Sequence, residues 1–329
     1  MNRDSPLLLE LGDWKVYLFA EIPNAKLYLS KFKDHFHDFV TYNIHPSLNV
    51  GWMLIVRSSS LGSLDTLVWW PPYDQMTGMV FPKHLSMVYQ RFSSPKSQLH
   101  LENIQHAPPF RMFLSDLRIS ESDRHFINNN QQTTYPTIFL ILDESAEFSH
   151  LHIFGAALSL STQWHLKRGS ICLHSAAVTR RNDGFLFLGA SEAGKTTVSQ
   201  LSTEIGYPAL GDDLNFIIND QDGIYRLAAS PSPNISPVGY SRFRPPLKGI
   251  FTLVKDGYDA LNPLQPIQLS RALFKQFYQE TPHVRKFSDE FINLGFQICC
   301  DIARKIPGYE LHFRKSHDFW KLIDEQFPD

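Results

Sequence analysis

The chain has 329 residues, 43% apolar and 19% charged, enough for a sizeable core and about two domains. A net charge of −2 with a pI near 6.7 supplies no global field to draw the chain to nucleic acid or an anionic membrane. No apolar run approaches the roughly 18 residues of a membrane helix. Three cysteines, Cys172, Cys299 and Cys300, do not make a disulfide framework, and the N-terminus lacks the layout of a signal peptide. The expected protein is cytoplasmic, with neither a nucleic-acid nor a membrane partner.

Residues 1–148 are expected to form a mostly β N-terminal region, assigned to substrate or partner recognition. Strands are predicted at 14–19, 51–56, 66–70, 85–89 and 110–119, runs rich in aromatic and β-branched residues with Gly, Pro and Ser between them. His35 and His37 would share one face of a strand, a pair suited to a metal but without a third ligand nearby. Residues 128–134 read as a polar loop. The run 139–144, a hydrophobic strand ending in Asp143 and Glu144, resembles the acidic second motif of many ATPases. It precedes the phosphate loop instead of following it and is left out of the site.

From about residue 149 the pattern changes. Ile153, Ala157, Leu160 and Trp164 mark a helix, with Lys167 and Arg168 near its end and Gly169 as its stop. Two apolar runs, 170–179 and 184–188, are joined by a polar turn and read as an antiparallel hairpin. The second run leads into Gly189, Ala190, Ser191, Glu192, Ala193, Gly194, Lys195, Thr196 and Thr197, which fits the pattern G-x-x-x-x-G-K-[ST]. Val198, Leu201 and Ile205 then recur at helical spacing. Strand, glycine loop and helix together form the context in which this pattern cradles phosphates. The glycines let successive N–H groups converge on phosphate oxygens, and the helix adds its positive end. Lys195 would reach the β- and γ-phosphates, and the Thr196 hydroxyl would ligate Mg²⁺. The bland alternative is a glycine-rich turn that binds nothing. The expected ligand is a nucleoside triphosphate with its Mg²⁺.

Beyond this helix, 207–210 leads to Gly211, Asp212 and Asp213, and strands at 216–218 and 224–229 pair across a polar turn. Residues 230–246 carry five prolines together with Arg242 and Arg244, a long loop of the kind that closes over a site. Helices are predicted at 270–279 and 288–306, the second capped by Ser288 and stopped by Pro307. A strand at 309–313 and a last helix at 316–325 complete the chain.

Phosphoryl transfer needs positioned phosphates, a metal and a group that orients or deprotonates the acceptor. Asp212 and Asp213, adjacent at a strand end, would point opposite ways, one toward the metal and the other toward the acceptor oxygen. A solvated turn is the alternative for the pair. His174, in the strand before the loop strand, is either beside these carboxylates or a satisfied core histidine.

The run Cys172–Val178, the phosphate loop and the stretch Leu210–Asp213 together resemble the catalytic domain of HPr kinase/phosphorylase. His174 stands 15 residues before Gly189, and Asp212 stands 23 after it, as in that family. The resemblance covers about residue 151 to the C-terminus. It implies an α/β fold: an HPr-kinase-like P-loop domain over 149–329, with a mixed sheet and an antiparallel strand before the P-loop strand. It further implies Asp212 as the base toward a seryl hydroxyl with His174 as its hydrogen-bonded neighbour, and Asp213 and Thr196 on the metal side. Lys195 completes the catalytic set. The ending 306–313 with Phe319 and Trp320 is similar to an HPr-kinase-related subgroup met beside peptide-modification genes. Thr197 stands where the family has an acidic residue, and no glycine-rich signature follows the Asp pair. What carries forward is ATP binding and phosphoryl transfer to a Ser/Thr hydroxyl of a small protein or peptide, with a homo-oligomer left open. The alternatives are a small-molecule kinase and a non-catalytic ATP-binding interaction protein.

Overall fold

The computed structural model describes residues 7–21, 25–41, 51–57, 101–107, 110–118, 134–142, 150–220, 222–230, 243–281 and 284–328. The fold is mixed α/β, and the chain divides into two compact units: Met1–Glu10 with Lys15–Ala156, and Leu11–Trp14 with Ala157–Asp329.

In the first unit the strands are β1 (Leu7–Leu11), β2 (Trp14–Glu21), β3 (Val40–Thr41), β4 (Gly51–Arg57), β5 (Leu101–Ala107), β6 (Phe110–Arg118) and β7 (Thr134–Leu142). They form one sheet in the order β3-β1-β2-β4-β7-β6-β5, parallel at β2–β4 and β4–β7 and antiparallel at β5–β6 and β6–β7. Between β2 and β3 runs helix α1 (Ala25–His35), followed by a short 3₁₀ turn, His37–Phe39. His35 and His37 are therefore on helical backbone rather than one face of a strand. The polar residues of this stretch recur at helical, not alternating, spacing, and Phe32 and Phe36 pack with tilted rings 4.8 Å apart between centroids. The predicted strands at 66–70 and 85–89, the loop at 128–134 and the pair Asp143 and Glu144 lie outside the described residues.

Helix α2 (His150–Leu166) ends just before Gly169, whose φ of +71° is the left-handed stop that glycine supplies without strain. The second sheet is built from β8 (Ile171–Arg180), β9 (Asp183–Leu188), β10 (Ala209–Gly211), β11 (Leu214–Asn219), β12 (Tyr225–Ala229), β13 (Leu247–Lys255), β14 (Ala260–Pro263) and β15 (Gly308–Phe313). Its order is β12-β11-β8-β9-β13-β15-β14, with β10 also on β8. The hairpin pair β8–β9 is antiparallel, whereas β9–β13 and β13–β15 are parallel. No element is assigned to 247–269 from the sequence, so β13 and β14 are additions.

Helices α3 (Lys195–Glu204), α4 (Pro266–Tyr278), α5 (Asp289–Lys305) and α6 (Phe319–Gln326) cover the sheet. One apolar core, with Leu173, Leu186 and Ile250 from the strands, takes Leu269, Leu273 and Phe277 from α4 and Ile298 and Ile302 from α5. The other, with Phe185, Phe187, Phe251 and Leu311, takes Val198 from α3 and Trp320 and Ile323 from α6. Helices on both faces explain why β8 and β9 read as continuous apolar runs without alternation. Among the described residues no helix is long and apolar enough to cross a membrane.

Candidate functional site

The buried strand β9 stops at Leu188, and the chain loops through 189–194 before entering α3 at Lys195. Close approach dictates both loop glycines. A Cβ on Gly189 would lie 2.5 Å from Ala193 Cβ, and one on Gly194 would lie 2.6 Å from Phe313 Cζ. Gly194 also has φ +110°, and Glu192 takes φ +67°, so the loop alternates into left-handed backbone as anion-binding nests do. Ala193 N–H donates to Ala190 O at 3.1 Å and closes the loop. Ala190, Ser191, Glu192 and Thr196 are exposed and Thr197 is half-buried, so the outer rim faces solvent.

Lys195 is 7% exposed, and its ammonium donates to Gly189 O at 2.8 Å and Ala190 O at 3.0 Å. It is curled into the concavity of its own loop. Burial pulls its pKa below the usual lysine value, and the carboxylates of Glu280, Asp213 and Asp212 work against that. The ammonium thus rests on two carbonyls of its own loop.

The aspartates stand at a break in strand pairing. One edge of β8 pairs with β11 through His174↔Leu214, then with β10 through Ala177↔Gly211, and Asp212 and Asp213 occupy the gap. Ser175 N–H donates to Asp213 O at 2.9 Å, and Asn215 Nδ2 donates to Ser175 O at 2.8 Å and Gly211 O at 3.2 Å, pinning the corner. Gly211 is required there, since a Cβ would lie 2.6 Å from Asn215 Oδ1. The strand carrying the pair is thus one place removed from the loop strand, on the far side of β8.

The structure brings His174, Lys195, Asp212 and Asp213 into one neighbourhood but distributes the contacts differently from the expectation. His174 Nε2 faces Asp213 Oδ1 at 3.4 Å, so its carboxylate neighbour is Asp213, not Asp212. The register sets this outcome: Leu214 lies opposite His174, and Asp213 is the next residue back. Asp212 Oδ1 is buried without a hydrogen-bond partner. Its pKa is raised, first by burial and then by the Asp213 charge, while its own backbone and the Lys195 ammonium oppose the shift. A carboxylate with an unused buried oxygen and a raised pKa is equipped to accept a proton.

One further residue comes from α4 and another from just beyond its end. Gln276, 4% exposed, sets the end of its amide beside Gly189 O and His174 O; both neighbours are acceptors, which assigns the amide nitrogen to that side, donating at 3.2 Å and 2.8 Å. Glu280, just past the helix, contributes the largest carboxylate influence on Lys195. Gln276 had a legible signal: it falls at the helical spacing of Leu269, Leu273 and Phe277, a polar group on a core-facing stripe. Arg244 is occupied elsewhere, with Nη2 donating to Gly12 O at 3.0 Å and Nε 3.9 Å from Asp13 Oδ1. It is not directed at the phosphate loop as the expectation of a closing element required. Arg242 lies outside the described residues.

Among the described residues no group of three or more His, Cys, Asp or Glu is arranged to hold a metal ion. The Thr196 hydroxyl and the Asp213 and Asp212 carboxylates are oxygen donors. Such a sparse set fits Mg²⁺, which keeps most of its shell as water and substrate phosphate. A family model described as "SynChlorMet cassette protein ScmC" matches residues 141–328. No curated protein matches the sequence.

Proposed function

Because the chain belongs to the ScmC family, whose description names a cassette and no chemistry, we propose a function from the site itself. The protein is an ATP-dependent kinase with an HPr-kinase-like P-loop domain, and it transfers the γ-phosphoryl group to a Ser or Thr hydroxyl of a small protein or peptide. The observation that carries this reading is Asp212, a carboxylate with a raised pKa and an unpartnered buried oxygen, electrostatically coupled to the phosphate-loop lysine.

In this mechanism the loop N–H groups and the N-terminus of α3 receive the phosphates, and Lys195 turns from Gly189 O and Ala190 O to their oxygens. Asp212 Oδ1 takes the acceptor hydroxyl's proton as the new O–P bond forms and the bond to the bridging oxygen breaks, leaving ADP. A positioned base of this kind contributes about 10²–10⁴ in rate. Burial raises the basicity of Asp212 above that of an ordinary aspartate, toward working pH. Asp213, whose carboxylate meets His174 and whose backbone oxygen is held at the strand corner, would supply the second carboxylate, on the metal side. Mg²⁺, held by Thr196 and Asp213 when bound, supplies neutralisation of phosphate charge.

The test is incubation of the purified protein with γ-labelled ATP and the small proteins or peptides encoded with it. Label on a Ser or Thr of such a product supports the reading. Label only on a metabolite transfers the activity to a small-molecule kinase, and ATP binding without turnover leaves an interaction protein.

A further inference from the structure

Gly189 O has two donors. Lys195 Nζ reaches it at 2.8 Å, and the Gln276 amide reaches it at 3.2 Å once its nitrogen is assigned to the side that faces two carbonyls. The same amide nitrogen lies 2.8 Å from His174 O, so one buried side chain of α4 ties the first loop glycine to the strand that carries His174. Gln276 is buried on the helix face that carries the core residues Leu273 and Phe277, where an amide is retained only if it is hydrogen-bonded.

These two donors do different things when phosphate arrives. Lys195 must leave the loop carbonyls to contact phosphate oxygens. Ala190 is exposed, so water can replace Lys195 at Ala190 O. Gly189 is half-buried at the floor of the loop, and its carbonyl depends on the protein for a replacement donor. We propose that Gln276 is a positioning residue for nucleotide binding: it keeps Gly189 O satisfied after Lys195 swings away, and so lowers the cost of freeing that lysine. Gln276 does not touch the phosphates. It acts through the carbonyl that Lys195 vacates, and it holds the loop floor against His174 in both states.

This inference rests on the phosphate-site reading above, and the experiment separates the two. Binding of ATP with Mg²⁺ is measured by calorimetry for wild type and for Gln276→Met, which keeps the side chain's length and apolar packing but removes the donor. In the nucleotide-free protein Gly189 O still has Lys195, whereas His174 O loses its donor whether or not nucleotide is bound, so the melting temperature should fall in both states and only Kd reports the loss at Gly189 O. In the complex Gly189 O loses its remaining donor, and Kd should rise about five- to hundredfold, the usual range for stranding one buried acceptor. The KM for ATP should rise by the same factor, with kcat at saturating ATP held. Gln276→Asn, whose amide is one methylene short of both carbonyls, should show the same loss and serves if the Met variant does not fold. A merely structural residue would lower the melting temperature and leave Kd unmoved, and that outcome overturns the inference. Failure of the wild type itself to bind ATP would instead overturn the phosphate-site reading.

Discussion

Lys195→Ala separates nucleotide binding from folding. In the nucleotide-free protein Lys195 makes two hydrogen bonds, to Gly189 O and Ala190 O. The first acceptor keeps Gln276, and the second is exposed to water. Removing the side chain also ends the cost of burying an ammonium, which is what lowers its pKa. These opposed effects should leave stability within about 1 kcal/mol of wild type, since a typical hydrogen bond nets about 0.5–1.5 kcal/mol. Ligand stabilisation behaves differently. At ATP a hundredfold above Kd the wild type gains about 2.7 kcal/mol, which raises the melting temperature by about 5–11 °C at the usual 2–4 °C per kcal/mol for a domain of this size. The assay is thermal unfolding with and without ATP and Mg²⁺. The variant should melt near the nucleotide-free wild type and show no ATP-dependent rise. An ATP-dependent rise equal to the wild type's would refute the assignment of Lys195.

Gly194→Ala places a methyl 2.6 Å from Phe313 Cζ at a backbone φ of +110°. It should cost about 1–3 kcal/mol in urea denaturation, the range for strained backbone, together with loss of ATP binding, and an unchanged midpoint would contradict the loop geometry. Trp320, 2% exposed, donates from Nε1 to Ser202 Oγ at 2.8 Å and packs on Phe185 and Phe187. Trp320→Ala should lose about 3–5 kcal/mol, and a loss under about 1 kcal/mol would contradict its place in the core. The raised pKa of Asp212 also sets a pH dependence. The folded protein holds that proton more tightly than the unfolded chain, so the contribution to stability is full below the ordinary carboxylate value of 3.8 and is lost as pH rises through the folded value. Asp212→Asn should therefore gain stability on wild type as pH rises from 3.8 through the folded value, and a constant difference over that rise would contradict the burial argument.

What the sequence discloses about this site follows chain distance. The loop strand, Gly189 to Thr197 and α3 are contiguous, and each fixed residue has one local task, so the pattern yields them directly. The β8–β9 hairpin is legible for the same reason: Arg180 pairs with Asp183, and the two-residue turn holds Arg181 at φ +58°. The contact of His174 with Asp213 is not legible, because it depends on which residue of β11 lies opposite His174, and a one-residue slip would reverse it. β13 goes unassigned because a proline-rich stretch precedes it and its partners, β9 and β15, are remote in sequence. Gln276 is visible as a polar residue on an apolar helical stripe, but its partners at Gly189 and His174 appear only once α4 is laid across the sheet. The first unit offered the least, since a short amphipathic helix at Ala25–His35 has too few turns to declare its period against neighbouring strands.

The proposed division of labour makes Asp212 the base and Asp213 the metal-side carboxylate. Single-turnover transfer of label from γ-labelled ATP to the phosphorylated partner, followed across a Mg²⁺ titration for wild type, Asp212→Asn and Asp213→Asn, tests it most directly. Asp212→Asn should lower the transfer rate about 10²–10⁴-fold at every Mg²⁺ concentration, with ATP affinity held. Asp213→Asn should raise the Mg²⁺ needed for half-maximal rate. A metal defect in Asp212→Asn with a metal-independent loss in Asp213→Asn would interchange the two roles, and unchanged transfer in both would remove the pair from the reaction.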